Sequence, residues 1–237
     1  MKNLTTVISS IINYVTSSNV KFLSRSVLAL TLLISFSCSE DSMDPTASKE
    51  SSVMASASIA PSGFNLWTTC GSGPYISGSN VIVPLGTGCG TKYAAAQAYN
   101  SIYGSNFAVN SNMAGGSGAS SGASELAIFV CDNVSTWVGN EMGFVRTLSD
   151  NVLKAYVQGG GQYIYTVVGG TGWHNYKCSA SGLRKVDFYI DNVYRTSLTN
   201  NSGSYQNRNW YFVGAAQYHG GGNPANWSTQ FNSANVW

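Results

Sequence analysis

The sequence predicts an all-β domain, a sandwich or closed barrel, and three observations carry that expectation. Short apolar or alternating runs recur between clusters of Gly, Asn, Asp and Ser. A helical period is almost nowhere to be found. Only 9% of residues are charged, while Gly (26) and Tyr (14) are abundant, the make-up of many turns and of a neutral, aromatic-studded surface.

Along the chain, the first segment to explain is not part of that domain. Lys2, Lys21 and Arg25 are followed by an apolar run from Val27 to Phe36, too short for the roughly 20 residues of a spanning helix and suited to a signal-peptide core. Ser35-Phe36-Ser37-Cys38-Ser39 resembles the lipobox of bacterial lipoproteins, with Ser35 where Leu is usual. The resemblance implies cleavage after Ser37, lipidation of Cys38 and membrane attachment through that lipid alone. The acidic stretch Ser39 to Asp44 resembles the signal that sends some such proteins to the outer cell surface. Residues 1–37 are therefore expected to be a signal peptide and residues 38–60, polar and without an apolar period, a disordered tether. Residues 61–237 make one domain, long enough to bury a core of its own.

Within that domain Asn80-Val81-Ile82-Val83-Pro84-Leu85 is a β-branched run entered through Ser77-Gly78-Ser79. Lys92 to Tyr99, with Ala94, Ala95, Ala96 and Ala98, is the one helical candidate. Phe107 to Val109 is a strand, Met113 to Gly122 a low-complexity loop, and Leu126 to Cys131 an apolar run that suits burial on both faces. Further strands are expected over Glu141–Arg146, Val152–Gln158, Gln162–Val168, Trp173–Ser179, Lys185–Asn192 and Trp210–Tyr218. Ser149-Asp150-Asn151 and Asp191-Asn192 are the clearest turns, the latter between Phe188-Tyr189-Ile190 and Val193-Tyr194-Arg195.

Charge and cysteines bound the function. Removing Lys2, Lys21 and Arg25 takes the formal charge from +2 to −1, and no basic run remains, which excludes nucleic acid as a partner. With Cys38 set aside, Cys70, Cys89, Cys131 and Cys178 permit three pairings, among which sequence does not choose. Cys70–Cys89 and Cys131–Cys178 are the expected bridges, because local pairing across a Gly-rich turn is easy. No CxxC or neighbouring His supports zinc, so no metal and no cofactor is expected. A Gly-x-Ser-x-Gly elbow with partners and a phosphate-cradling loop are both missing.

Several segments taken together resemble the concanavalin A-like lectins and glucanases. Tyr103-Gly104-Ser105-Asn106-Phe107-Ala108-Val109 is similar to their Tyr-Gly-x-Phe-Glu strand, and Trp173-His174-Asn175-Tyr176 to their Trp-His-Thr-Tyr strand. Val186 to Val193 is similar to their Phe-Tyr-Val-Asp-Gly hairpin, and Phe231 to Trp237 to their closing strand. The segments follow in family order over residues 61–237. The resemblance implies a two-sheet antiparallel jelly roll whose concave face binds or cuts glycans.

Retaining hydrolysis in that family needs a Glu-x-Asp-x-x-Glu strand, because one carboxylate acts as nucleophile and another as acid/base at about 5–5.5 Å. The strand in that place reads Glu141-Met142-Gly143-Phe144-Val145-Arg146, with Gly143 for the Asp and Arg146 for the last Glu; Glu125 lies on another strand. The polysaccharide lyases of the same fold end on a Tyr-Phe-Lys-Ala-Gly strand, partly echoed by Tyr211 to Tyr218 with Val213 for the Lys. Their Gln-x-His strand has only Gln162-Tyr163-Ile164 as counterpart, and Arg146 could stand for their substrate-neutralising Arg.

The candidates of this reading are Glu141, Arg146 and His219 for catalysis, and Tyr165, Tyr211, Gln217 and His219 for carbohydrate binding. His174 is expected to face solvent; His219 precedes the Gly220-Gly221-Gly222 loop, where binding residues tend to lie. Trp137, Trp173, Trp210, Trp227, Tyr156 and Tyr163 are further aromatics able to stack on a sugar or fill the core. The expected function is a lipid-anchored lectin of the outer membrane or cell surface that captures an extracellular polysaccharide. A lyase or divergent hydrolase on the same fold is the alternative, and an adhesin or structural surface protein the second.

Overall fold

The computed structural model describes residues 57–85, 91–114, 124–135, 139–160, 162–167, 171–219 and 226–237. The expected signal peptide, Cys38, most of the tether, Cys89, Trp137, the Gly220–Gly222 loop and most of the loop after Met113 lie outside them. Sixteen strands run through the described residues. They are β1 (Ala57–Ile59), β2 (Phe64–Thr68), β3 (Tyr75–Ser77), β4 (Asn80–Pro84), β5 (Lys92–Ala98), β6 (Ile102–Gly104), β7 (Asn106–Ala114) and β8 (Glu125–Cys131). Then come β9 (Glu141–Thr147), β10 (Val152–Gln158), β11 (Gln162–Thr166), β12 (His174–Gly182), β13 (Lys185–Ile190), β14 (Val193–Thr199), β15 (Arg208–Tyr218) and β16 (Ser228–Val236).

They form two antiparallel sheets. The back sheet has the order β14-β13-β12-β7-β16-β4-β3, with β1 beside β16; the front sheet has β11-β10-β9-β8-β15-β5-β2, with β6 beside β15. Sequential hairpins build one flank of each sheet, and strands distant in sequence meet in the rest of it (β12-β7, β7-β16 and β16-β4; β8-β15, β15-β5 and β5-β2), the jelly-roll pattern of a chain that crosses between layers. β1 belongs to the residues assigned to the tether, yet Ala57–Ile59 pairs with Ala234–Val236. The folded part thus begins before Pro61.

Turn chemistry sets the hairpins. Asp191 and Asn192 have φ of 52° and 62° between the paired residues Ile190 and Val193, the two-residue turn whose twist matches that of its strands. Asn151, with φ of 54°, reverses β9 into β10.

Alternation sets the core. Phe64, Phe107, Phe212 and Phe231 meet between the sheets, edge to face at 5.1–6.1 Å, and Phe144 packs on Tyr176 and Phe188 at 5.0 and 5.4 Å. Each such buried ring contributes about 1.5–3 kcal/mol from its area alone. Gly214 is needed here: a Cβ would sit 2.8 Å from Cδ1 of Phe231, so only a glycine lets that ring lie on the front sheet.

Two expectations are corrected. Lys92–Ala98 is a strand between β15 and β2. Its alanines favour a helix in isolation, but Ala94, Ala96 and Ala98 face the core aromatics while Ala95 faces the other way, and tertiary pairing overrides propensity. The bridge Cys131–Cys178 does not form, and both are buried free thiols. Cys178 points between the sheets, whereas Cys131 packs on the outward face of the front sheet with Phe129, Val145, Tyr156 and Val213. A disulfide requires Cβ atoms about 3.5–4.5 Å apart, which a sheet between them forbids. Cys70 is disulfide-bonded.

Candidate functional site

The outward face of the front sheet carries a groove of about 660 Å³. Strand register orders its floor into four rows, each crossing the strands. At one end lie Gln158, Glu141, Cys131 and Tyr211. The next row holds Ile164, Tyr156, Gly143, Phe129, Val213 and Gln97. The third holds Lys154, Val145, Ala127, Ala215, Ala95 and Trp67. Thr147, Glu125, Gln217 and Tyr93 close the far end, with Thr69 beside Tyr93. The centre is therefore apolar and aromatic, and hydrogen-bonding side chains stand at the ends.

Glu141 is 7% exposed. Burial pushes its carboxyl up to about 7, the neighbouring Asp132 carboxylate pushes the same way, and a hydrogen bond with Tyr156 pulls back. Asp132 is itself spoken for: its carboxylate accepts from Asn140 N (2.9 Å) and Asn140 Nδ2 (2.8 Å) and pairs with Arg208 at 2.5 Å. Asn140 in turn accepts from Ser204 N at 2.8 Å, and the Tyr205 hydroxyl donates to Gln158 O at 3.1 Å. The segment before β15 is thereby fastened to the ends of β9 and β10, which fixes the wall beside Glu141. Burial first, then the Glu141 charge, holds the Cys131 thiol protonated, and burial also keeps the Tyr156 phenol protonated.

At the far end Glu125 is half-buried. Burial raises its pKa, and His219 and Lys154 pull it back. Lys154 also pairs with Asp150 at 3.4 Å. The His219 ring stands edge-on to Tyr93 at 5.8 Å, and its backbone N–H donates to Ser124 Oγ at 3.2 Å.

Both carboxylates thus reach the groove, but six residues of strand separate their rows, roughly 20 Å at the rise of a β-strand. Gly143 and Val145 stand between. Phe129 occupies the space over Gly143: a Cβ there would lie 2.7 Å from the Phe129 Cα and closer still to the Ile128 carbonyl oxygen.

The other candidates divide by strand face. Gln217 lines the groove and Tyr211 is half-buried on its face. Arg146 is turned into the space between the sheets, 3% exposed, donating to Asn151 O (3.2 Å) and Asn151 Oδ1 (3.1 Å) and hydrogen-bonded to Tyr176. Tyr165 pairs with Ala155, on the face opposite Ile164, and is 54% exposed. His174 meets Asp191 at 2.7 Å beside the β13–β14 hairpin. Trp210 and Trp227 are buried, Trp210 donating to Gly104 O at 3.0 Å. Trp67, Tyr93 and Phe129 were not singled out from sequence; the signal available was alternation along β2, β5 and β8. No cluster of three or more His, Cys, Asp or Glu fit to hold a metal occurs among the described residues.

No family model matches the chain, and no curated protein matches it. Solved structures do. A β-glucanase of Bacillus licheniformis superposes with a TM-score of 0.55 at 8% identity, covering 77% of this chain and 98% of that one. The Crh5 transglycosylase gives 0.54 at 13% identity, covering 76% and 83%. A prokaryotic β-1,3-1,4-glucanase (lichenase) from a mouse hindgut metagenome gives 0.51 at 7% identity, covering 76% and 97%. At such identities the likeness is one of fold. The chain is a concanavalin A-like jelly roll, the architecture its sequence resembles.

Proposed function

We propose that this protein binds a neutral polysaccharide in the groove of its front sheet and does not hydrolyse it by a carboxylate pair. One observation carries the reading: along the groove face of β9, Glu141 is followed by Gly143 and Val145, and the nearest other lining carboxylate is roughly 20 Å away. Retaining cleavage needs about 5–5.5 Å and inverting cleavage about 6.5–9.5 Å. The floor suits capture instead. Trp67, Tyr93, Phe129 and Tyr156 offer aromatic surface to the C–H faces of sugar rings, and Thr69, Thr147, Gln158 and Gln217 offer hydrogen bonds to hydroxyls.

The lining also favours neutral over uronic polymers. Lys154 is the single cation among the described lining residues, and Arg146 faces away. Two of the structurally similar proteins are glucanases by name, and glucans are neutral polysaccharides. Lipidation at Cys38 would hold the groove outside the cell, where polymers too large to import are met; loss of palmitate labelling in Cys38→Ser tests that part.

The test of binding is to incubate the protein with neutral and uronic polysaccharides while recording retention and new reducing or unsaturated ends. Retention on neutral polymers without product is expected. New chain ends that vanish in Glu141→Gln would overturn the reading in favour of an enzyme.

A further inference from the structure

Glu141 occupies an unusual setting for a carboxyl group. It lies in the end row of the groove, nearly closed off from solvent, yet it borders the space a ligand would fill. The groups that face it are neutral, negative, or a cation already paired to another carboxylate. From β8 comes the Cys131 thiol, protonated and wholly buried, and just beyond that strand lies the Asp132 carboxylate. From β10 come the Tyr156 hydroxyl and the Gln158 amide, with Gln158 directly opposite Glu141. From β15 comes Arg208, whose guanidinium is held by Asp132, and on the same strand Tyr211 lies beyond Cys131. Lys154, the one cation among the described lining residues, stands two rows away.

A buried carboxylate with no cation of its own, beside a second carboxylate, is a costly arrangement, and a group so placed takes up a proton instead. Once protonated it has one O–H to give. A Tyr156 hydroxyl that donates to the carboxyl lowers its pKa, as this hydrogen bond does, so the contact does not use up the O–H of the acid. Hydroxyl, ring and bridging oxygens of a glycan are acceptors of the right kind.

We propose that Glu141 works as a neutral carboxylic acid that donates its O–H to an oxygen of the bound glycan, and that loss of this donor above neutrality loosens the groove's hold. This inference rests on the glycan-binding reading and adds a regulated specificity contact to it. A ligand that binds only the protonated form sees its affinity scaled by the fraction of protein in that form. With the carboxyl at about 7, that fraction falls by about tenfold between pH 6 and pH 8.

The test uses the full chain and its Glu141→Gln variant, with water-soluble mixed-linkage β-1,3-1,4-glucan as the probe. Binding is measured from pH 5 to pH 9, and the Glu141 carboxyl carbon is followed by NMR without ligand. The wild type is expected to lose about tenfold in affinity between pH 6 and pH 8. The Gln variant, whose amide is a donor at every pH, is expected to stay flat and to bind more tightly than wild type at pH 8. A carboxyl resonance that titrates below pH 5, or the same pH profile in both proteins, overturns the inference. If neither protein binds any polymer, the glycan reading itself fails, and the NMR midpoint then decides the protonation alone: near 7 upholds it, below 5 ends it.

Discussion

Glu125 and Glu141 are the same residue type on the same sheet face, at opposite ends of one groove, and their surroundings make different chemical groups of them. Glu125 is half-buried and has Lys154 and His219 to offset its desolvation. Glu141 is buried, and its neighbours are an acid, a thiol and a phenol. Burial acts on both; the supply of nearby cations separates them. Glu141 is therefore the carboxyl that holds its proton up to about pH 7, whereas at Glu125 nearby positive charge works against the effect of burial.

The strongest way to break this contrast is to insert the missing acid. Gly143→Asp places a side chain against Phe129 and the Ile128 carbonyl, where a Cβ already meets backbone atoms. We expect a loss of at least about 3 kcal/mol by chemical denaturation and no gain of hydrolysis. A stable, glucan-cleaving variant would show that Phe129 does not bar the position.

Next comes the pH dependence of stability. The folded state keeps the Glu141 proton above the ordinary carboxyl range, so between pH 4.5 and about 7 the unfolded chain loses a proton that the folded chain retains. Stability must fall with rising pH through that window and level off above it, a change on the order of 3 kcal/mol. Glu141→Gln should remove the slope, measurable as the difference in unfolding free energy between the two proteins at pH 4 and pH 8.

A smaller effect sits between the ends. Trp67 is half-exposed beside the alanine-lined centre, and Trp67→Ala should weaken glucan binding about tenfold, or about 1.4 kcal/mol, with little change in melting temperature. The smallest is at the far end. Glu125→Gln should shift stability by less than about 1 kcal/mol at any pH, as expected of a partly exposed and partly compensated charge.

Much of the fold is legible in the sequence because its punctuation is chemical. Asp191-Asn192 and Asn151 announce their turns by residue type, and nine strands follow from runs bounded by such residues. Lys92–Ala98 was not legible, since alanines that favour a helix locally become strand once Phe64, Phe212 and Phe231 need small partners. The candidate site was half legible. Period-two alternation from Glu141 already puts Gly143, Val145 and Thr147 on its face and Arg146 on the other. That Phe129 covers Gly143, or that Cys131 faces the groove while Cys178 faces the core, depends on register between strands far apart in sequence. The same holds for the environment of Glu141, which comes from three strands and a side-chain network.

The pairing of Ala57 with Val236 has a practical consequence. The first and last strands described lie side by side on the sheet that does not carry the groove. A short linker could therefore join residue 57 to residue 237, and new ends could be opened between Asp191 and Asn192, at a hairpin of the same back sheet. Such a circular permutant would keep every strand of the front sheet continuous, giving a scaffold in which the chain ends can be moved while the groove is left as it is.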